Sequence, residues 1–270
     1  MEYSAFKQLS ALIYNEAGIT LPDEKQALLE NRIAKRLRAL GIDDANAYLD
    51  IVNSLAGAEE LVLLIDAIST NVTSFYREPS HFEMFAEQLA VWRAPGRRKL
   101  RVWCAAASSG QEPYTLAITV AENLPLTSLD FKLLGTDIST RMLEEASQAI
   151  YTDSEIEKVP ENTRRRFFNL LDRNERESNW QVKDDIKQHV AFKRLNLSQF
   201  PFPLKGPIDF IFCRNVMIYF DRTLRQKIVN EFVRLLAPGG YLFLSHSESL
   251  IGIDHPLRAM GDSVFQRPER

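Results

Sequence analysis

Apolar residues recur at helical spacing through the first quarter of the chain and switch to short strand-like runs beyond Leu100, so two kinds of structure follow one another. Phe6, Leu9, Leu12, Ile13 and Ala17 mark a first amphipathic helix. Leu21-Pro22-Asp23-Glu24 opens a second, with proline and acids where a helix start favours them, and Gly41 closes it. Leu29, Ile33, Leu37 and Leu40 make its apolar face, and residues 45–55 and 59–68 supply two more helices. Residues 1–70 are therefore expected to form a small all-α domain, and residues 71–98 a linker and a helix leading into a larger domain over 99–270.

In that larger part the runs Arg101–Cys104, Phe131–Leu134, Val190–Leu195, Ile208–Phe212 and Tyr241–Leu244 read as strands, most of them separated by helical stretches at 111–123, 139–149 and 222–236. The alternation predicts an α/β fold with a doubly wound, mostly parallel sheet covered on both faces. Ser263–Gln266 is expected to add a last strand that closes the sheet edge. Residues 151–189 break the alternation, with a charged helix near Pro160–Phe168 and a hairpin pattern over Asp172–Val182. They predict a small inserted β-subdomain at about 165–192.

Composition narrows the class. With 270 residues, 45% of them hydrophobic and 26% charged, the chain can bury a full core. Its longest apolar runs fall far short of the roughly 20 residues a membrane span needs, and Met1-Glu2-Tyr3-Ser4 begins no secretion signal, so a cytoplasmic protein without membrane insertion is expected. The net charge of -3 argues against nucleic acid as a partner. The two cysteines, Cys104 and Cys213, stand at strand ends and are expected as free, buried thiols. The four histidines show no metal spacing, so no metal is expected, and His246 reads as a core or supporting residue. No exposed apolar heptad appears, which favours a monomer.

The chemistry concentrates at three strand ends. Trp103-Cys104-Ala105-Ala106-Ala107-Ser108-Ser109-Gly110-Gln111-Glu112-Pro113-Tyr114 joins a buried strand to a helix through very small residues, which let a ligand approach the backbone. A dinucleotide site would want Gly-x-Gly-x-x-Gly there, but only Gly110 is present, and Glu112 at the helix start would repel a phosphate. It would attract a cation. S-adenosylmethionine, with an ammonium and a sulfonium and no phosphate, suits that arrangement. Asp137, 33 positions beyond Cys104, is placed like an acid that binds ribose hydroxyls. The plainer readings are that Asp137 caps the helix near Ser139 and that Glu112 only complements a helix dipole.

Four stretches, Asn71–Glu78, Trp103–Tyr114, Gly135–Ser139 and Cys213–Asp221, resemble in order the signature segments of the CheR family, chemoreceptor glutamate O-methyltransferases that use S-adenosyl-L-methionine. Ser245-His246-Ser247-Glu248 also fits, and the resemblance runs essentially end to end. It implies that Asn71, Thr73 and Arg77 line the cofactor site, that Glu112 and Asp137 meet its methionine and ribose portions, and that Asn196 and Leu197 flank the adenine. Arg214 and Asn215 would close the pocket, with Arg77 and Tyr219 as catalytic residues nearest the transferred methyl and the incoming carboxylate. Plainer roles are a surface salt bridge for Arg77 and a packed strand-end aromatic for Tyr219. It implies S-adenosyl-L-homocysteine as the product and the cytoplasmic methylation helices of chemoreceptors as partners. Two departures stand out. Gln111 replaces the first acid of a common Gly-Glu-Glu-Pro-Tyr motif, and residues 170–182 hold none of the glycine of the loop with which some members grip a receptor's carboxyl-terminal pentapeptide.

On the second helix Lys25, Arg32 and Arg36 fall within roughly 40° of one another, with Lys35 and Arg38 further round. This basic stripe predicts an acidic partner surface, unless it is only a solvated helix face. Two other functions fit the same residues: a methyltransferase of this fold with another protein or a small molecule as acceptor, and a non-catalytic nucleotide-sensing signalling adaptor.

Overall fold

A computed structural model of the protein describes residues 1–54, 56–94, 96–173 and 177–269. Four helices, α1 (Tyr3–Ala17), α2 (Gln26–Leu40), α3 (Ala45–Asn53) and α4 (Ala58–Ile68), build the amino-terminal bundle. Their apolar stripes meet: Phe6, Leu9 and Ile13 of α1, Leu29 and Ile33 of α2, Tyr48 of α3 and Leu64 of α4 are buried together. The stripe of α2 fades toward its end, where Leu37 is partly covered and Leu40 is 39% exposed.

The larger part begins with α5 (Pro79–Arg93) and continues through β1 (Lys99–Cys104), α6 (Gln111–Asn123), β2 (Asp130–Asp137) and α7 (Thr140–Gln148). Next come β3 (Ile150–Thr152), α8 (Glu161–Phe167), β4 (Phe168–Arg173), β5 (Ser178–Val182), α9 (Asp184–Lys187) and β6 (Val190–Arg194). The chain finishes with β7 (Ile208–Phe212), α10 (Arg222–Leu235), β8 (Leu236–Phe243), β9 (Arg258–Gly261) and β10 (Val264–Gln266). The main sheet runs β6-β2-β1-β7-β8-β10-β9, parallel from β6 to β8, with β10 antiparallel to both of its neighbours. The strand order reverses between β1 and β7, where a doubly wound sheet opens a crevice at its carboxyl edge.

Period-two alternation fills both faces. Val102 and Cys104 of β1, Phe210 and Phe212 of β7 and Tyr241 and Phe243 of β8 pack on one side, while Trp103, Ile211, Leu242 and Leu244 pack on the other. Both cysteines are free and fully buried. Burial pushes both thiols well above their ordinary pKa.

Two details depart from the sequence reading. Strand β10 does not close the edge; it pairs between β8 and β9, whose four exposed residues gave no strand signal. The small antiparallel sheet β3-β5-β4 already starts at Ile150, a strand too short for its period to show, and Val190 belongs to the main sheet, so the insertion sits earlier than 165–192. The tip of its hairpin, residues 174–176, lies outside the described residues.

The helical bundle is fastened to the sheet beside the crevice. Gly18 ends α1 in the left-handed region (φ 70°), and a Cβ there would run into Leu224 of α10. Tyr14 donates to Asp221 at 2.5 Å, Asn196 Nδ2 to the Glu16 carbonyl at 2.6 Å, and the Thr20 amide to the Tyr219 carbonyl at 2.9 Å.

Candidate functional site

The turn from β1 into α6 needs its one glycine. Gly110 has φ 95°, and a Cβ would lie 2.7 Å from Tyr151 Oη and 3.0 Å from Ala146 Cβ. Around the same crevice four non-glycine residues hold positive φ: Tyr76 (52°), Glu78 (58°), Ser108 (46°) and Asn215 (59°). Such strain gathers where the surroundings fix the backbone for a site. Here two of the four flank Arg77.

One cavity, partly open to solvent, gathers the residues expected to bind the cofactor and to act in catalysis. Asn71, Thr73 and Arg77 reach it from the linker, Glu112 from the first turn of α6, Asp137 from the end of β2, and Asn196 and Leu197 from the loop after β6. Arg214, Asn215 and Tyr219 follow β7. The helical bundle adds Ala17, Ile19 and Ile68, a wall the sequence reading missed because nothing in the bundle's own pattern points at the sheet.

Each polar group has a defined task. Asp137 accepts from the Ser108 amide at 2.8 Å and the Ser139 amide at 3.0 Å. The cap of α7 is Ser139, whose side chain accepts from the Met142 amide, so Asp137 is not the helix cap. Burial raises the Asp137 carboxyl pKa against those two donors. Asn196 spends its amide on Glu16 and its oxygen on Ser198, leaving its backbone and Leu197 toward the cavity. Arg77 Nη1 donates to the Val72 carbonyl at 2.8 Å. Tyr219 packs partly against the second core face while it lines the cavity.

Arg214 has no exposed side-chain surface. Its Nη1 meets Glu112 Oε2 at 2.6 Å, and its Nη2 reaches both the Arg77 carbonyl at 2.5 Å and Glu78 Oε2 at 3.0 Å. The guanidinium holds the Glu78 carboxyl below its ordinary range although burial opposes it. Cys104 donates its thiol to the other Glu112 oxygen at 3.2 Å. Two carboxylates thus share one guanidinium, and of the two Glu112 lines the cavity. The carboxylates of Glu112 and Asp137 in the lining, with no glycine-rich phosphate loop, fit a cationic sulfonium cofactor and not a pyrophosphate. Glu248 also escaped the sequence reading as a site residue. Its carboxylate accepts from the amides of Ser245, Asn215 and Met217 and so moulds the loop that carries Arg214 to Tyr219.

The basic stripe is corrected. Arg36 turns inward as a two-bonded partner of Glu60 (2.9 and 2.6 Å), which also accepts from Tyr48 at 2.7 Å. Arg32 binds the carbonyls of Ala67 and Ser69 at the end of α4. A helical wheel cannot see that α4 lies against this face. Lys25, Lys35 and Arg38 remain exposed. Burial works against the Glu60 carboxylate, yet the bonds from Arg36 and Tyr48 hold its pKa below the ordinary value. This contribution to stability is present above the unfolded carboxyl pKa and lost as pH falls through the lower folded one. Arg36→Ala is expected to lower stability by about 2 kcal/mol, read by urea unfolding at pH 7, with the loss shrinking toward pH 3.

The family model described as CheR methyltransferase, SAM binding domain, matches residues 71–265, and the CheR methyltransferase all-alpha domain matches residues 4–69. The chain is 39% identical over 260 residues to the chemotaxis protein methyltransferase of Salmonella typhimurium, covering 96% of this chain and 88% of the relative. It is 38% identical to that of Escherichia coli, covering 96% and 89%. It is 35% identical to chemotaxis protein methyltransferase 2 of Pseudomonas aeruginosa, covering 96% and 91%.

Proposed function

The chain belongs to the CheR methyltransferase family, and on that premise we propose that it esterifies glutamate side chains of a chemoreceptor's cytoplasmic methylation helices, in the cytoplasm, for chemotactic adaptation. When bound, S-adenosyl-L-methionine supplies a sulfonium-activated methyl group. The observation that carries the reading is the cavity in which Arg77 and Tyr219 accompany the carboxylates of Glu112 and Asp137. Asp137 offers its carboxylate to ribose hydroxyls, the backbone at Asn196 and Leu197 flanks the adenine, and the Glu112–Arg214–Glu78 cluster faces the positive end. Asn71, Thr73 and Asn215 complete the enclosure.

An acceptor glutamate, with a pKa near 4.3, is already ionised at neutral pH, so no general base is required. The chain's task is to orient the carboxylate and exclude water, an arrangement able to recover roughly 7–11 kcal/mol of barrier. Arg77 pairs with the carboxylate, and the Tyr219 hydroxyl donates to it without competing as a nucleophile. The bracket of Tyr76 and Glu78, together with Arg214 on the Arg77 carbonyl, keeps that arginine in place. Lys25, with Lys35 and Arg38, gives the acidic partner its contact, and reversing the last two is expected to raise receptor KM with cofactor affinity unchanged.

The deciding experiment incubates the protein with methyl-labelled S-adenosylmethionine and a chemoreceptor cytoplasmic fragment, then releases methyl esters as methanol in mild alkali. Volatile label is expected. Cofactor binding without alkali-labile label on any receptor fragment would overturn the acceptor assignment. With no glycine between residues 170 and 182, calorimetry with a receptor carboxyl-terminal pentapeptide is expected to show no micromolar binding.

A further inference from the structure

Four residues beyond Arg77, and outside the cavity lining, His81 carries an unmet lone pair. Its ring is fully buried, yet Nδ1 has no hydrogen-bond partner. Its Nε2 lies 2.7 Å from the Asp262 carbonyl oxygen, which can only accept, so the ring proton sits on Nε2 and Nδ1 is left bare. The group facing Nδ1 is Glu78 Oε2 at 3.4 Å, another acceptor. That oxygen already accepts from Arg214 Nη2 at 3.0 Å and from the His246 amide at 3.3 Å, so the unmet buried acceptor is Nδ1, which calls for a proton or a metal cation. The exposed imidazole of His246 completes the corner, its ring centroid 4.5 Å from that of His81 and tilted by 77°.

We propose that Glu78, His81 and His246 form a binding site for a divalent transition-metal cation of the zinc type. One donor atom from each lies within 4.8 Å of the others. Two imidazoles and a carboxylate suit zinc, cobalt or nickel and disfavour magnesium and calcium, which want oxygen ligands. The Nε2–H of His81 donating to a backbone carbonyl is the supporting bond that metal-bound histidines usually make. Donors around a tetrahedral ion at about 2.1 Å stand roughly 3.4 Å apart; His81 Nδ1 and Glu78 Oε2 already stand at 3.4 Å, and the remaining separations, all within 4.8 Å, close by at most about 1.4 Å. The exposed His246 side chain and the Glu78 carboxylate, whose side chain is 17% exposed, have the room to do so. The solvent side leaves a fourth position for water. The site is one residue from Arg77 and shares Glu78 with Arg214.

The test uses the whole 270-residue chain, untagged, stripped with a chelator and titrated with Co²⁺ while visible absorption and heat are followed. One equivalent is expected to bind with micromolar affinity, displaced by one equivalent of Zn²⁺. His246→Ala, at an exposed position that the core does not need, is expected to weaken binding at least roughly tenfold, and Glu78→Gln to do the same. The buried Cys104 and Cys213 cannot supply the signal. Absence of Co²⁺ binding up to about 1 mM, or unchanged affinity in His246→Ala, would overturn the site and leave the His81 lone pair to a proton.

Discussion

Arg214→Met is expected to cost the folded protein roughly 3–5 kcal/mol and to remove measurable cofactor binding. Methionine keeps much of the volume but takes away the only guanidinium shared by Glu112 and Glu78, and both carboxylates are then held beside the cavity without a counter-charge. The carbonyl of Arg77 loses its donor as well. For a chain of this size the loss corresponds to a fall in Tm of roughly 10 °C. Calorimetric unfolding and cofactor titration read the two effects together. Glu112→Gln added to Arg214→Met should restore part of the stability, because the second change removes one of the stranded charges. Simple additivity of the two substitutions would show that the pair is not coupled.

Tyr219→Phe is expected to act on turnover alone. The hydroxyl's role is one hydrogen bond to a charged acceptor, about 1.5–3 kcal/mol, which amounts to a fall in kcat of roughly 10- to 150-fold. The ring stays packed against the second core face, so folding and cofactor Kd should match the parent protein. Steady-state methylation of a receptor fragment, paired with calorimetry for the cofactor, separates the two quantities. Unchanged kcat would take Tyr219 out of the reaction, while a matching loss in cofactor affinity would make it a wall of the pocket.

Much of this arrangement could be read from the chain. The apolar run Val102-Trp103-Cys104 and the largely apolar stretch of the helix from Gln111 to Asn123 declare a buried strand and a buried helix, and small residues followed by an acid mark the crevice between them. Pockets made by adjacent turns are legible because each turn carries its own chemistry. Partnerships across the fold are not. Arg36 looks solvent-facing on a wheel until Glu60 is placed against it, and Glu248 is one acid among many until three amides converge on it. Glu78 and His246, 168 positions apart, meet only through the sheet's topology. Strands of three or four residues, such as Ile150–Thr152 and Arg258–Gly261, are too brief for any period to register.

The fastening of the helical bundle has a bearing on engineering and ancestry. Ala17, Ile19 and Ile68 of that bundle are walls of the cavity, and the Thr20 amide holds the carbonyl of Tyr219. A hybrid that exchanges the first seventy residues for those of a distant cousin therefore exchanges part of the reaction chamber too. The bundle and the sheet are therefore inherited as one piece: a graft must keep Tyr14 with Asp221, Gly18 with Leu224 and the Asn196 side chain within reach of the carbonyl at position 16, whereas the bond between positions 20 and 219 joins main-chain groups and asks only for the same backbone path.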